Sequence, residues 1–85
     1  MYNEKNRTMT NRLYEIFSQV MEIPISEIDE NSTIESIKQW DSFNHILLLS
    51  EIEQEFKIKI SLTEYSKVKQ LSDIKIILEK HGVLF

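Results

Sequence analysis

The sequence predicts an all-α fold, a small four-helix bundle of three main helices and one short one, with a long loop between helices 1 and 2. Three observations predict it. Apolar residues recur at helical spacing in three separate stretches. Two capping boxes, Ser32-Thr33-Ile34-Glu35 and Ser61-Leu62-Thr63-Glu64, mark helix starts. One Gly and one Pro in 85 residues argue against an all-β chain rich in tight turns.

Residues 1–7 are polar and are expected to form a flexible tail, with residues 8–85 as one domain. Leu13, Ile16, Phe17, Val20 and Met21 give a first helix from about residue 8 to residue 21, capped by Thr8 or Thr10 and closed off by Pro24. Residues 22–41 are a long connection with sparse apolar anchors: Ile23, Ile25, Ile28, Ile34 and Ile37. Such anchors predict a loop packed on the core, with one helical turn near residues 33–38 following the first capping box. The second helix runs from about Ser42 to Phe56. His45, Leu48, Leu49, Ile52 and Phe56 share its core face, while Phe43, Leu47, Ser50 and Gln54 trace another. Ile58-Lys59-Ile60-Ser61 alternates like a strand but has no partner strand, so it reads as an extended connection. The second box starts a short third helix through about Ser66. Ser72 is expected to cap the last helix, with Leu71 and Ile76 as a hydrophobic staple; Ile74, Ile77 and Leu78 supply its apolar face. Lys80 and His81 suit its negative end, and Gly82 is a natural residue just past it.

Composition excludes several function classes. With no cysteine there is no disulfide, thiolate nucleophile or Cys-based zinc site, which is compatible with a reducing cytoplasm. The longest apolar run, Ile46 to Leu49, is four residues, so no membrane insertion is expected, and Met1 to Asn11 lacks the apolar core of a signal peptide. A net charge of −4 and a pI near 5.1 argue against nucleic acid and favour partners with basic patches.

The most informative stretch is Trp40-Asp41-Ser42-Phe43. A polar loop ends there and a strongly apolar helix begins. Asp41 is a good N-cap, which makes Ser42 the first helical residue, at the positive end of the helix dipole, where backbone N–H groups lack partners. A phosphate is well tolerated at such a position. Taken alone, Asp-Ser is an ordinary helix start.

The order of motifs along the chain changes that weighting. Ile25-Ser26-Glu27-Ile28-Asp29-Glu30-Asn31-Ser32-Thr33-Ile34 resembles the long loop of phosphopantetheine-binding acyl carrier proteins, in which an acidic segment leads to a small-polar-plus-aliphatic pair. Asp41-Ser42-Phe43 stands where that family usually reads Asp-Ser-Leu. Ile52 to Ile60 resembles its acidic helix end, Phe and alternating exit, and Val68-Lys69-Gln70-Leu71-Ser72-Asp73-Ile74 resembles the approach to its last helix. The resemblance covers about Leu13 to Gly82. It implies a bundle of acyl-carrier type and a covalent 4′-phosphopantetheine arm on Ser42, with Asp41 as the N-cap beside it. It also implies a thioester-borne acyl or aminoacyl cargo, and a protein that is not itself an enzyme. The implied partners are a phosphopantetheinyl transferase and the enzymes that load and transfer the cargo, met by a cytoplasmic monomer. Trp40 before Asp-Ser is closer to free-standing carriers of specialised pathways than to fatty-acid carriers.

Trp40, Phe43, Asn44, Ile46, Leu47 and Glu51 are the expected partner contacts, because a helix apolar on two faces must bury both or present one. The alternative is that Phe43 and Leu47 pack under the protein's own loop. The core lined by Leu48, Leu49, Ile52 and Ile77 is expected to shield an acyl chain. The rival to the carrier reading is an unmodified helical interaction module of the same fold. A hydrolase built on Ser42 and His45 lacks a glycine-flanked nucleophile turn and a third group, so His45 reads as a satisfied, half-buried histidine. Asp29 to Trp40 begins like a calcium loop but has Ile34 and Trp40 where glycine and glutamate are needed, so no metal is expected. Glu51, Glu53 and Glu55 read as a solvated face.

Overall fold

The computed structural model describes residues 9–83. They form α1 (Met9–Met21), a 3-10 turn (Ile25–Glu27), α2 (Ser42–Phe56), α3 (Leu62–Lys67) and α4 (Leu71–Lys80). Four α-helices and no strand occur among the described residues; one antiparallel bridge joins Thr33 to Gln70. The expected tail lies outside the described residues, as does Thr8; Thr10 lies inside α1 and not ahead of it. α2 has the bounds that its pattern predicts, and residues 58–61 form the extended connection.

Each of the three main helices contributes one apolar stripe to a shared core, while α3 has no buried residue. Leu13, Phe17 and Met21 come from α1, Leu48, Leu49 and Ile52 from α2, and Leu71, Ile74 and Leu78 from α4. Burying a side chain of this size stabilises by roughly 1.5–3 kcal/mol. That matters most for α4, whose ten residues would be marginal as a helix alone in water.

The loop of residues 22–41 is held by its own hydrogen bonds and by α4. Ile23, Ile28 and Ile37 are buried and Ile34 packs against the core, but Ile25 is exposed at the start of the 3-10 turn and anchors nothing. The expected box at Ser32 does not form. Ser32 turns inward, is buried, and its hydroxyl accepts the Asp29 N–H (3.0 Å). The cap moves one residue on: Thr33 Oγ1 accepts the Ser36 N–H and Ser36 Oγ accepts the Thr33 N–H, both at 2.9 Å, closing a single turn without a helix.

The start of α4 also differs from the expectation. Its N-cap is Gln70, not Ser72, and the Asp73 carboxylate accepts the N–H groups of Lys69 (2.9 Å) and Gln70 (3.2 Å). The loop supplies the acceptors a side-chain cap would have given: Leu71 N–H donates to the Ser32 carbonyl (2.9 Å) and Ser72 N–H to the Glu30 carbonyl (3.1 Å). Ser72 Oγ accepts from Gln70 Nε2 (2.6 Å). Leu71 is fully buried while Ile76 points to solvent, so no staple joins them.

The three main helices end in the same way. A residue at positive φ comes directly after α1 and α2, and one residue further on after α4, and the next N–H reaches back five residues. Glu22 (φ 58°) allows Ile23 N–H to reach the Ser18 carbonyl (3.2 Å). Lys57 (φ 57°) does the same for Ile58 and Glu53 (3.2 Å), and Gly82 (φ 94°) for Val83 and Leu78 (2.9 Å). Pro24 therefore follows a helix already closed at Glu22. Only Gly82 takes this conformation without strain. Lys57→Gly and Glu22→Gly are each expected to raise stability by about 0.5–1 kcal/mol in urea denaturation, since the left-handed conformation costs a side chain roughly 1–2 kcal/mol and glycine gives back part of that as entropy.

α3 is capped as its sequence predicts. Ser61 Oγ accepts the Glu64 N–H (3.1 Å) and Glu64 accepts the Ser61 N–H (2.9 Å). Glu64 also meets His81 Nε2 (3.2 Å) and Lys80 Nζ (3.7 Å), tying α3 to the end of α4. The Ser61 N–H, followed by His81, holds the Glu64 carboxyl below its ordinary pKa against the opposing effect of desolvation. A carboxylate with a depressed folded pKa stabilises above its unfolded pKa and loses that contribution as pH falls through the folded one. Acidification through that range is expected to release the Ser61 amide from its exchange protection, and Glu64→Gln should remove this pH-dependent step from the amide-exchange profile.

Candidate functional site

Asp41 adopts the extended conformation of an N-cap (φ −97°, ψ −176°). Its carboxylate accepts the Asn44 N–H and its carbonyl accepts the His45 N–H, each at 2.8 Å. Asn44 Nδ2 donates to the Gln39 carbonyl (2.8 Å), so the last turn of the loop is gripped from the first turn of α2. Ser42 follows as the first residue of α2 and is exposed. The leading N–H groups of a helix have no partner within it, and the dipole there favours an anion.

Beneath Ser42 lies a row of three side chains. Trp40 is buried (2% exposed) and meets Phe17 edge-on, ring centres 5.0 Å apart at 82°. Its Nε1–H donates to His45 Nδ1 (2.9 Å). Nδ1 must therefore be the acceptor nitrogen, which leaves the proton on Nε2. His45 Nε2–H donates that proton to the Tyr65 carbonyl (2.9 Å), and the Tyr65 ring meets the imidazole edge-on. Burial, with Glu53 adding to it, pushes the Tyr65 phenol above its ordinary pKa. Both imidazole nitrogens are committed, so His45 has no free lone pair with which to take a proton from Ser42. The arrangement offers a hydroxyl to an outside catalyst, not a nucleophile with its own base.

A family model described as the phosphopantetheine attachment site matches residues 11–75, from the third residue of α1 to the middle of α4. The chain belongs to this family. It is a carrier that bears a covalently attached 4′-phosphopantetheine. No curated protein matches the chain.

Two grooves flank α2 in this carrier. One, of about 680 Å³, lies between α2 and α3. Asp41, Ser42 and Ile46 line it from α2, Leu62, Tyr65 and Ser66 from α3, with Trp40, His45 and Val68 beneath. The other, of about 520 Å³, lies between α1 and α2 and is lined by Ile16, Val20, Phe43, Asn44, Leu47 and Glu51 among others.

The structure separates the residues expected to meet partners. Trp40 is a core residue, because its flat ring fills the space beside Phe17 and its indole N–H finds a buried acceptor. Phe43 (74% exposed), Ile46, Leu47 and Glu51 are at the surface; Asn44 is half-buried and holds the loop. Phe43 and Leu47 do not pack under the loop. Of the three acids expected to form a solvated face, Glu51 and Glu55 are exposed, Glu55 also pairing with Arg12 (2.6 Å), whereas Glu53 is half-buried and accepts the Ile60 N–H (2.6 Å). Leu62, Tyr65 and Ser66 complete the α2–α3 groove and were not singled out by sequence. The one available signal was Leu62, an exposed leucine directly after the Ser61 cap.

The tautomer is open to direct measurement. Two-bond ¹H–¹⁵N spectra of His45 are expected to show a protonated Nε2 and an unprotonated Nδ1. His45→Ala leaves the Trp40 indole N–H and the Tyr65 carbonyl without their partner, and should cost about 1–3 kcal/mol in chemical denaturation.

Proposed function

We propose that Ser42 carries the phosphopantetheine, and that the protein holds an acyl or aminoacyl group as a thioester at the end of that arm and presents it to partner enzymes. The observation that carries this is the exposed Ser42 hydroxyl at the first position of α2, within the matched segment and beside the Asp41 cap. The residues fit the group. A phosphodiester there brings negative charge to the positive end of a fifteen-residue helix, whose leading N–H groups can receive it. Asp41 is already engaged by the Asn44 N–H, and the loop end is fixed, so the hydroxyl is presented at a defined place.

Attachment needs a separate transferase. Ser42 Oγ attacks the β-phosphate of coenzyme A, the bond to the adenosine bisphosphate breaks, and the serine proton passes to a base of that enzyme. When bound, the group supplies a terminal thiol that forms thioesters, in a chain with no cysteine of its own. Ser42 and Asp41 anchor the arm, while the exposed Phe43, Ile46, Leu47 and Glu51 meet the transferase and the enzymes that load and unload the cargo. The carrier works as a cytoplasmic monomer of one domain and performs no catalysis itself. Among the described residues no helix is long and apolar enough to cross a membrane.

Intact-protein mass after incubation with coenzyme A, magnesium and a broad-specificity phosphopantetheinyl transferase tests this. Wild type should gain one phosphopantetheine and Ser42→Ala none. Addition to the variant would move the site elsewhere. No addition to folded wild type with two different transferases would favour an unmodified interaction module.

A further inference from the structure

The groove beside Ser42 has a closed floor, and that bears on cargo. Of the two grooves beside α2, the one between α2 and α3 has Ser42 in its lining and the one between α1 and α2 does not, so an alkyl chain leaving Ser42 for the core formed by Leu48, Leu49, Ile52 and Ile77 enters between α2 and α3. His45, one turn beyond Ser42, bridges the two helices at that point through its 2.9 Å bond to the Tyr65 carbonyl. Trp40 closes the loop side, held to the same imidazole at 2.9 Å. Among the described residues no buried side-chain nitrogen or oxygen lacks a partner, so parting the helices here would create unpaired buried groups where none exist. Nor is there slack behind the bridge. Leu48, Leu49 and Ile52 are fully buried, in one core cluster with Ile74 and Leu78 that are equally so, and none of them lines the groove. Extra methylenes forced into a close-packed interior displace side chains from their rotamers.

The open trough above this floor is a different environment. Ile34, Ile46, Leu62 and Val68 give it an apolar lining, and Asp41 and Lys69 put opposite charges among its lining residues. A group with a small apolar body and a polar or charged end matches it. We infer that this carrier takes a compact acyl group, such as a short acyl, hydroxyacyl or aminoacyl unit, which stays in the α2–α3 surface groove, and not a long alkyl chain sheltered in the core. This rests on Ser42 bearing the arm. It replaces the expectation that Leu48, Leu49, Ile52 and Ile77 shield the cargo, because the hydrogen-bonded row of Trp40, His45 and Tyr65 stands between them and Ser42.

The test uses the full chain carrying its arm, charged through hydrolysis-stable linkages with an alanyl group or a dodecanoyl group and compared with the bare arm. Methyl and indole N–H spectra are recorded for each. With both cargoes the Trp40 indole signal and the methyls of Leu48, Leu49, Ile52 and Ile77 should keep their bare-arm positions, while methyls of Ile34, Ile46, Leu62 and Val68 move. Acetyl and dodecanoyl thioesters should react with hydroxylamine at rates within about twofold of each other, as groups outside the protected interior do. A dodecanoyl arm that shifts the Trp40 indole and the core methyls, or a dodecanoyl thioester strongly protected relative to acetyl, would overturn the inference and leave the carrier reading intact. Loading is checked first by intact mass; a folded chain that accepts no arm overturns both.

Discussion

The hydrogen bond from the Trp40 indole to His45, continued to the Tyr65 carbonyl, is the constraint on which the rest of the site depends. It joins the end of the loop and the first turn of α2, already linked through Asn44 and Asp41, to the middle of α3. Trp40 is the residue before Asp41, so its burial fixes where the cap sits and leaves Ser42 facing outward. His45 is short enough to reach both neighbours only as the neutral tautomer with its proton on Nε2. α3 is six residues long and could not persist alone. It is held by this bond at Tyr65 on one side and by the Glu64 contacts with His81 and Lys80 on the other.

The loop has a second duty that its composition hides. Twenty residues between helices carry a large ordering cost, and sparse isoleucines offset only part of it. The loop also lends the carbonyls of Glu30 and Ser32 to the first amides of α4. Loop and helix start therefore form together. This is why a serine placed ideally for capping, Ser72, leaves the capping to Gln70, Asp73 and the loop backbone.

What could be read from the sequence follows from the range of the interactions. The bounds of α2, the Ser61–Glu64 box and the role of Gly82 rest on residues a few positions apart, and the sequence shows them. Ser32 and Ser72 failed as caps because long-range backbone bonds between loop and α4 won over a local pattern. The left-handed ends at Glu22 and Lys57 were hidden because neither residue type favours that conformation. At the site, Asp41, Ser42 and the half-buried His45 were legible. The place of Trp40 was not: an aromatic beside a motif reads equally as surface or core, and only Phe17 and His45, drawn from two helices, decide it. The inward role of Glu53 was hidden because its acceptor duty to the Ile60 amide arises only once the chain turns back after α2, and the Arg12 partner of Glu55 lies 43 residues away.

Those acids also define what α2 shows to the outside. From Ser42 to Ser50 the helix carries no formal charge, and two of the three glutamates that follow are occupied within the protein. Trp40 is the only tryptophan in the chain. Buried, bonded to an imidazole and two positions from Ser42, it is a single fluorophore wired to the contact between α2 and α3. Its emission maximum and lifetime give a label-free optical record of whether that contact holds when the carrier is charged, docked or unloaded.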